Sequence, residues 1–191
     1  MVRLAVGLGN PGPAYAGTRH NIGFMLLDKL LGTSPWKRWG EGEAAFHDLE
    51  GGDHRAGFHC FKPLTFMNLS GGAVRAFADY HKVAPADILA CYDDIDLPLG
   101  RIRIRLGGSS GGHRGMQSLI ESFGGEEGIP RLRLGVGPLP EEADAKNFVL
   151  GRFRSDEADA LSGMLERGML ALGAACAGGL EKAMNEFNPA S

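Results

Sequence analysis

Val2-Arg3-Leu4-Ala5-Val6-Gly7-Leu8-Gly9-Asn10-Pro11-Gly12, continued by Thr18-Arg19-His20-Asn21, is the stretch around which this chain is organised. The apolar run Val2–Leu8 carries β-branched residues and is bounded by glycines, the pattern of a buried strand. The Gly- and Pro-rich turn behind it sets polar side chains just past the strand's carboxyl end, where α/β sheets bind ligands. Gly7-Leu8-Gly9-Asn10-Pro11-Gly12 also formally matches G-x-G-x-x-G, a dinucleotide pyrophosphate cradle. That motif needs a helix opening at once and an acidic residue about 20 positions on. Pro11 and Pro13 stand in the way of the helix, and Leu31-Gly32-Thr33-Ser34-Pro35 fills the acidic position. An irregular polar loop presenting Asn10 and His20 to a shared site fits the residues better.

At 191 residues the chain is long enough to bury a full core, and one domain spanning 1–191 is expected. A hydrophobic share of 43% with 23% charged residues argues for an ordinary globular protein rather than a disordered one. Glycine is the outlier, with 30 residues clustered largely in loops, as close backbone approach to a ligand or GC-rich codon usage would produce. The first residues pattern as a strand rather than a secretion signal, and no apolar run is long enough to span a membrane. Cys60, Cys91 and Cys176 form an odd set without C-x-x-C spacing, each in apolar context, so buried reduced thiols of a cytoplasmic protein are expected. The net charge of −3 predicts no general affinity for nucleic acid, so any polyanion site must come from local clustering.

Along the chain, Phe24, Leu27, Leu30 and Leu31 recur at helical spacing, predicting a helix over Asn21–Leu31 with Gly32 behind it as a C-cap. Trp36–Gly42 reads as irregular. Ala44–Leu49 and Arg55–Phe61 read as two strands joined by the turn Glu50-Gly51-Gly52-Asp53. His47, His54 and His59 lie on this unit at a spacing that fits no familiar metal site. After a loop around Pro63, Ser70 is a fair N-cap for a helix to about Val83, with Val74, Phe77, Ala78 and His81 facing inward. Ile88–Tyr92 is a second buried-strand pattern, ending in Asp93-Asp94-Ile95-Asp96. Three carboxylates there invite a metal reading; a single histidine-orienting aspartate is the alternative.

Arg101–Arg105 alternates strictly, so one strand face is basic and the other apolar. The loop Leu106–His113 precedes a helix over Arg114–Phe123. Gly108-Ser109-Ser110-Gly111-Gly112 matches the G-x-S-x-G nucleophile elbow, which requires an acid and then a histidine downstream. The only later histidine is His113, three residues past Ser110, which disfavours a serine hydrolase. Arg131–Val136 alternates again, Phe148–Leu150 is a short element, and helices follow from Ser155, interrupted at Gly178-Gly179, through Phe187. Strands and helices alternate throughout, predicting a three-layer α/β domain.

Four separated stretches carry polar residues at loop positions. They are Gly7–Gly12 with Thr18–Phe24, Lys62–Gly71, Asp93–Gly100, and Gly111-Gly112-His113. Together they resemble bacterial-type peptidyl-tRNA hydrolase, an esterase family acting on the 3′ end of tRNA, and the resemblance runs essentially end to end. It implies a single α/β domain with a twisted mixed β-sheet flanked by helices, monomeric and cytoplasmic, acting without a cofactor or metal. It also implies hydrolysis of the ester joining a peptidyl group to the terminal ribose, with the acceptor stem and CCA end of tRNA as partner. The family's catalytic histidine falls on His20 and its orienting aspartate on Asp93. Its substrate-holding positions fall on Asn10, Tyr15, Met67, Asn68, His113 and Arg114, and its phosphate-contacting basic residues on Arg103, Arg105 and Arg133.

General chemistry supports these roles. Ester hydrolysis needs no metal if a base takes a proton from water and donors stabilise the oxyanion. Imidazole suits the base, and a carboxylate on its other nitrogen fixes the tautomer. Carboxamides both donate and accept without adding charge, and guanidinium forks match a terminal phosphate. Two departures stand out. The family's Gly-His-Asn-Gly reads Gly112-His113-Arg114-Gly115, and arginine cannot accept a hydrogen bond. Gly135–Pro140 replaces a turn that more often reads Gly-Arg-Pro. Arg114 keeps open a second reading, a catalytically silent RNA-binding member of the same fold.

Overall fold

A computed structural model describes residues 1–49 and 57–188. One seven-stranded sheet runs in the order β2-β3-β4-β1-β5-β7-β6. The strands are β1 (Leu4–Gly7), β2 (Lys37–Trp39), β3 (Gly42–Asp48), β4 (Gly57–Pro63), β5 (Ile88–Pro98), β6 (Ile102–Arg105) and β7 (Arg131–Gly137). The central β4, β1, β5 and β7 are mutually parallel, while β2, β3 and β6 pair antiparallel at the two margins. The expected mixed sheet flanked by helices is therefore present.

The period-2 alternation of the strands sorts the core into two apolar layers. Ala5, Cys60, Leu89, Cys91, Leu132 and Leu134 face one side, against α1 (Ile22–Leu31), α5 (Ala158–Gly178) and α6 (Leu180–Phe187). Leu4, Val6, Phe61, Ile88 and Ala90 face the other, against α2 (Ser70–His81) and α3 (Arg114–Ser122). All three cysteines are buried in the first layer, and burial pushes the Cys60 thiol up to about 12. They are core groups, not nucleophiles.

Gly7 and Gly9 have packing roles. A Cβ on Gly7 would lie 2.5 Å from the Gly23 carbonyl oxygen, and one on Gly9 would lie 2.8 Å from the Phe24 ring. Their bareness lets β1 and α1 close on each other. The chain between them is irregular up to a short 3₁₀ turn, Arg19–Asn21, so no helix N-terminus follows β1 directly and the dinucleotide reading fails.

Several boundaries differ from expectation. Lys37–Trp39, read as irregular, forms β2 by pairing with Ala44–Gly42. Apolar patterning stops at Tyr92, yet β5 continues to Pro98 because β7 supplies pairing partners for Asp93 and Asp94. Ser70 does not cap α2: Leu69 holds that position, a 3₁₀ turn (Met67–Leu69) leads in, and the Ser70 hydroxyl is buried without a partner among the described residues. Ser155, from which helix was expected, opens a 3₁₀ turn, and α5 starts after it with Glu157 as its N-cap. The short element expected at Phe148–Leu150 is the end of a helix, α4 (Ala145–Leu150). The turn expected at Glu50–Asp53, together with His54, lies outside the described residues.

Candidate active site

The site lies at the carboxyl ends of β1 and β5, where the connection from β4 through α2 crosses to the far side of β1. Such a crossing leaves a crevice between adjacent strands, the usual ligand position in open α/β sheets. A cleft of about 890 Å³ fills this end of the sheet. It is lined by Asn10, Tyr15, His20, Met67, Asn68, Asp93, His113 and Arg114, with Arg105 and Arg133 on one wall.

Because successive side chains on β5 point to opposite faces, Asp93 and Asp94 serve different partners. Asp93 is buried and meets two imidazoles. His20 Nδ1 lies 2.8 and 3.0 Å from its two oxygens, and His113 Nε2 lies 3.0 Å from Oδ1. The backbone N–H of Met116 donates to His113 Nδ1 at 3.1 Å, so that nitrogen is an acceptor and the ring's proton sits on Nε2, facing Asp93. Burial alone would raise the Asp93 carboxyl, but the charge and hydrogen bonds of His113 and His20 hold it well below the usual carboxylate range. Asp93 is thus an anion with a donor on each side, and His20 Nε2 has no partner among the described residues. His113 has neither nitrogen free for Ser110, which removes the serine-hydrolase reading.

Among the described residues, His20, Asp93 and His113 also form the one group whose ligand-type atoms lie within 4.8 Å of one another. Their contacts are hydrogen-bond lengths, and Met116 already occupies the outer nitrogen of His113. The aspartate run therefore fits the histidine-orienting reading better than the metal one.

Asn10 is only 7% exposed, and its amide is oriented by its neighbours. Oδ1 accepts from the Met67 backbone N–H at 2.8 Å, so Nδ2 is the group Asn10 offers to the cleft. Its backbone is held by a residue with no assigned part in the sequence reading. The Asn21 side chain accepts from the Asn10 N–H at 2.9 Å and donates to the Asn10 carbonyl at 2.9 Å. Asn21 stood within the resemblance-carrying stretch Thr18–Phe24 without a site role of its own. Tyr15 packs edge-on against Phe66, with ring centroids 6.4 Å apart. Asn68 and Arg114 are exposed and shared with an adjoining recess of about 410 Å³, whose wall also carries Gln117 and Glu121. Arg114 has no ion-pair or hydrogen-bond partner among the described residues.

The arginines form one face of the β6–β7 ribbon. Arg103 stands opposite Arg133 and Arg105 opposite Arg131, while Ile102, Ile104, Leu132 and Leu134 pack into the core behind them. Their states differ. Arg133 Nε lies 2.7 Å from Asp94 Oδ2 in an ion pair. Arg131, absent from the sequence assignment, is buried and donates to the Ser109 and Gly108 carbonyls at 2.6 and 2.7 Å, tethering the glycine-rich loop. Arg105 is exposed on the cleft wall, whereas Arg103 lies outside the cleft lining. Counting Lys146 on α4, the cleft carries five cations (Arg105, Arg114, Arg131, Arg133, Lys146) against three carboxylates (Asp93, Asp94, Asp96). The locality is basic although the chain is acidic.

Residues 4–191 match the family model for peptidyl-tRNA hydrolase. The chain belongs to the peptidyl-tRNA hydrolase family. It is 46% identical to the peptidyl-tRNA hydrolase of Elusimicrobium minutum, over 98% of this chain and all of the relative. It is 47% identical to that of Synechococcus sp. strain JA-3-3Ab, over 98% of this chain and 83% of the relative. The crystal structure of peptidyl-tRNA hydrolase from Acinetobacter baumannii superposes with a TM-score of 0.87 at 31% identity, over 98% of this chain and 94% of that one. No helix among the described residues is long and apolar enough to cross a membrane.

Proposed function

We propose that this chain, acting as a single domain, hydrolyses the ester between a peptidyl group and the 3′-terminal ribose of tRNA, with His20 as general base. The observation that carries the reading is the ordered pair of hydrogen bonds on Asp93, which points His20 Nδ1 at a carboxylate and leaves Nε2 free on the cleft wall. Water held at Nε2 gives up its proton as its oxygen attacks the ester carbonyl carbon. Asp93 stabilises the imidazolium that forms. The carbonyl oxygen becomes an oxyanion, for which the free Nδ2 of Asn10 and the amide of Asn68 are the neutral donors in the cleft. As the tetrahedral intermediate collapses, the imidazolium returns the proton to the departing ribose oxygen. The products are tRNA with a free hydroxyl and a peptide carboxylic acid, which releases its remaining proton to solvent.

Tyr15, Met67, His113 and Arg114 complete the substrate wall; where the family pattern has asparagine, Arg114 donates only. Arg103, Arg105 and Arg133 contact tRNA phosphate, Arg105 from the cleft wall and Arg133 in company with Asp94. Such contacts position an acceptor stem without reading its bases, as an enzyme for many tRNAs requires. The protein acts in the cytoplasm as a monomer, without metal.

The test is steady-state hydrolysis of N-acetyl-aminoacyl-tRNA against the unblocked ester, for wild type, His20→Ala and Arg114→Asn. Wild type should turn over the blocked ester, and His20→Ala should lose about 10²–10⁴ in kcat while still binding tRNA. An equal rate for His20→Ala would sink the assignment of the base. Binding without turnover by wild type would instead identify a silent RNA-binding member of the fold.

A further inference from the structure

We propose that Arg19 is a positioning residue for His20, locking the turn that carries the base to the α4 wall of the cleft. The inference rests on the hydrolase reading above. Arg19 immediately precedes His20 in the 3₁₀ turn Arg19–Asn21, yet it is only 5% exposed and every contact of its guanidinium goes to one distant segment. Nη2 lies 2.8 and 2.7 Å from the two oxygens of Glu157, and Nη1 donates to the Arg152 carbonyl. The guanidinium carbon sits 4.7 Å from the centre of the Phe148 ring and 5.0 Å from that of Phe153. The backbone follows the side chain, since the Arg19 N–H donates to the Gly151 carbonyl at 3.0 Å and Thr18 forms a β-bridge with Arg152.

The segment so gripped is the end of α4 and the chain that follows it, and α4 lines the cleft through Lys146, Val149 and Leu150. The three residues of the turn thus go to three parts of the protein: Arg19 to residues 148–157, His20 to Asp93, Asn21 to Asn10. A buried ion pair is a poor source of net stability but a strict geometric constraint, because either charge left alone is costly to bury. Here the constraint acts one residue from the catalytic imidazole. Releasing it lets the turn shift against β5, and a displacement of about 1 Å in a reacting group costs about 10²-fold in rate.

The experiment compares full-length wild type, Arg19→Gln, Glu157→Gln and Arg19→Lys in kcat and KM on N-acetyl-aminoacyl-tRNA. Thermal melts and proton NMR of the histidine ring N–H groups accompany the kinetics. Both glutamine variants should lose about 10²-fold in kcat while KM moves little, because the phosphate-facing arginines sit on other elements. The His20 Nδ1–H signal should broaden into exchange well below the melting temperature. The His113 Nε2–H signal, bonded to the same carboxylate, should persist as the internal reference. Arg19→Lys keeps the charge with fewer donors and should fall between; if both glutamine variants unfold, it decides, with a clear kcat loss at constant KM supporting the proposal. Wild-type kcat in any folded variant, or a kcat loss that tracks only the unfolded fraction while the His20 signal stays sharp, overturns it. Failure of wild type to turn over overturns the hydrolase reading instead, and the two ring signals still report whether Arg19 holds His20.

Discussion

The backbone N–H of Met116 donates to His113 Nδ1, and this single bond decides which nitrogen of His113 faces Asp93 as a donor. His113 therefore does two jobs from one ring: it caps the first turn of α3 and supplies the second proton to the buried carboxylate. Removing it leaves the Asp93 anion with His20 as its only side-chain hydrogen-bond donor among the described residues, and α3 without its N-cap.

His113→Ala should accordingly destabilise the fold by about 1–3 kcal/mol, the scale for a buried acceptor losing a partner, with up to about 1 kcal/mol more for the lost cap. It should slow hydrolysis less than His20→Ala does. Urea unfolding and kcat measured on both variants check this; a larger kcat loss for His113→Ala would reverse the roles.

Asn21→Ala removes both bonds that hold the backbone of Asn10. Each is worth about 0.5–1.5 kcal/mol net, and the loop bearing the oxyanion donor would lose its register. Stability and kcat should fall together, unlike in Arg114→Asn, where an exposed side chain changes and the melting temperature should hold. Paired melts and kinetics distinguish the two.

Arg103→Gln and Arg105→Gln should raise KM with kcat unchanged, since uniform binding is lost. Each should reduce the salt slope of tRNA binding by about 1 if it contacts phosphate. Arg133→Gln should in addition lower stability, because it removes the ion-pair partner of the buried Asp94 carboxylate and leaves it the Asp96 backbone N–H. Titrations across a salt series read both effects; an unchanged slope for Arg105→Gln would remove it from the phosphate site.

His59 and His81 lie side by side away from the cleft, with ring centroids 4.2 Å apart and planes tilted by 43°. Burial, then the neighbouring His81 and Arg3, push His59 below its ordinary value, and burial and Arg3 do the same to His81. Their depressed values mean that the unfolded chain binds more protons between the folded value and about 6.5. Stability from this pair is therefore full above about pH 6.5 and declines as pH falls below it. Asp93, held low, adds a second loss only once pH drops below about 4, through the unfolded carboxylate value. Melting temperatures from pH 8 to pH 4 should show the first decline in wild type and a flatter profile in His81→Gln. A wild-type curve without it between pH 7 and pH 5 would refute the assignment.

Much of this protein is written in local pattern. Alternation in Arg101–Arg105 and Arg131–Val136 foretold strands with an arginine face, and helical spacing foretold α1 and α2, because side-chain period follows from backbone geometry whatever the neighbours. Asn10, His20, Asn68, Asp93 and His113 stood out at the ends of those elements, and the fold brings all five to one cleft. Tertiary structure decided what each polar group is free to do. The extension of β5 through Asp93 comes from pairing with β7, and β2 exists by pairing with β3. The engagement of Arg133 with Asp94, of Arg131 with the glycine loop, and of Arg19 with Glu157 is equally remote from local pattern. These bonds join residues 22 to 138 positions apart; the Arg133–Asp94 ion pair likewise spans two strands. A local window records which face a side chain takes, but an arginine's charge is free or spent according to what the fold sets against it.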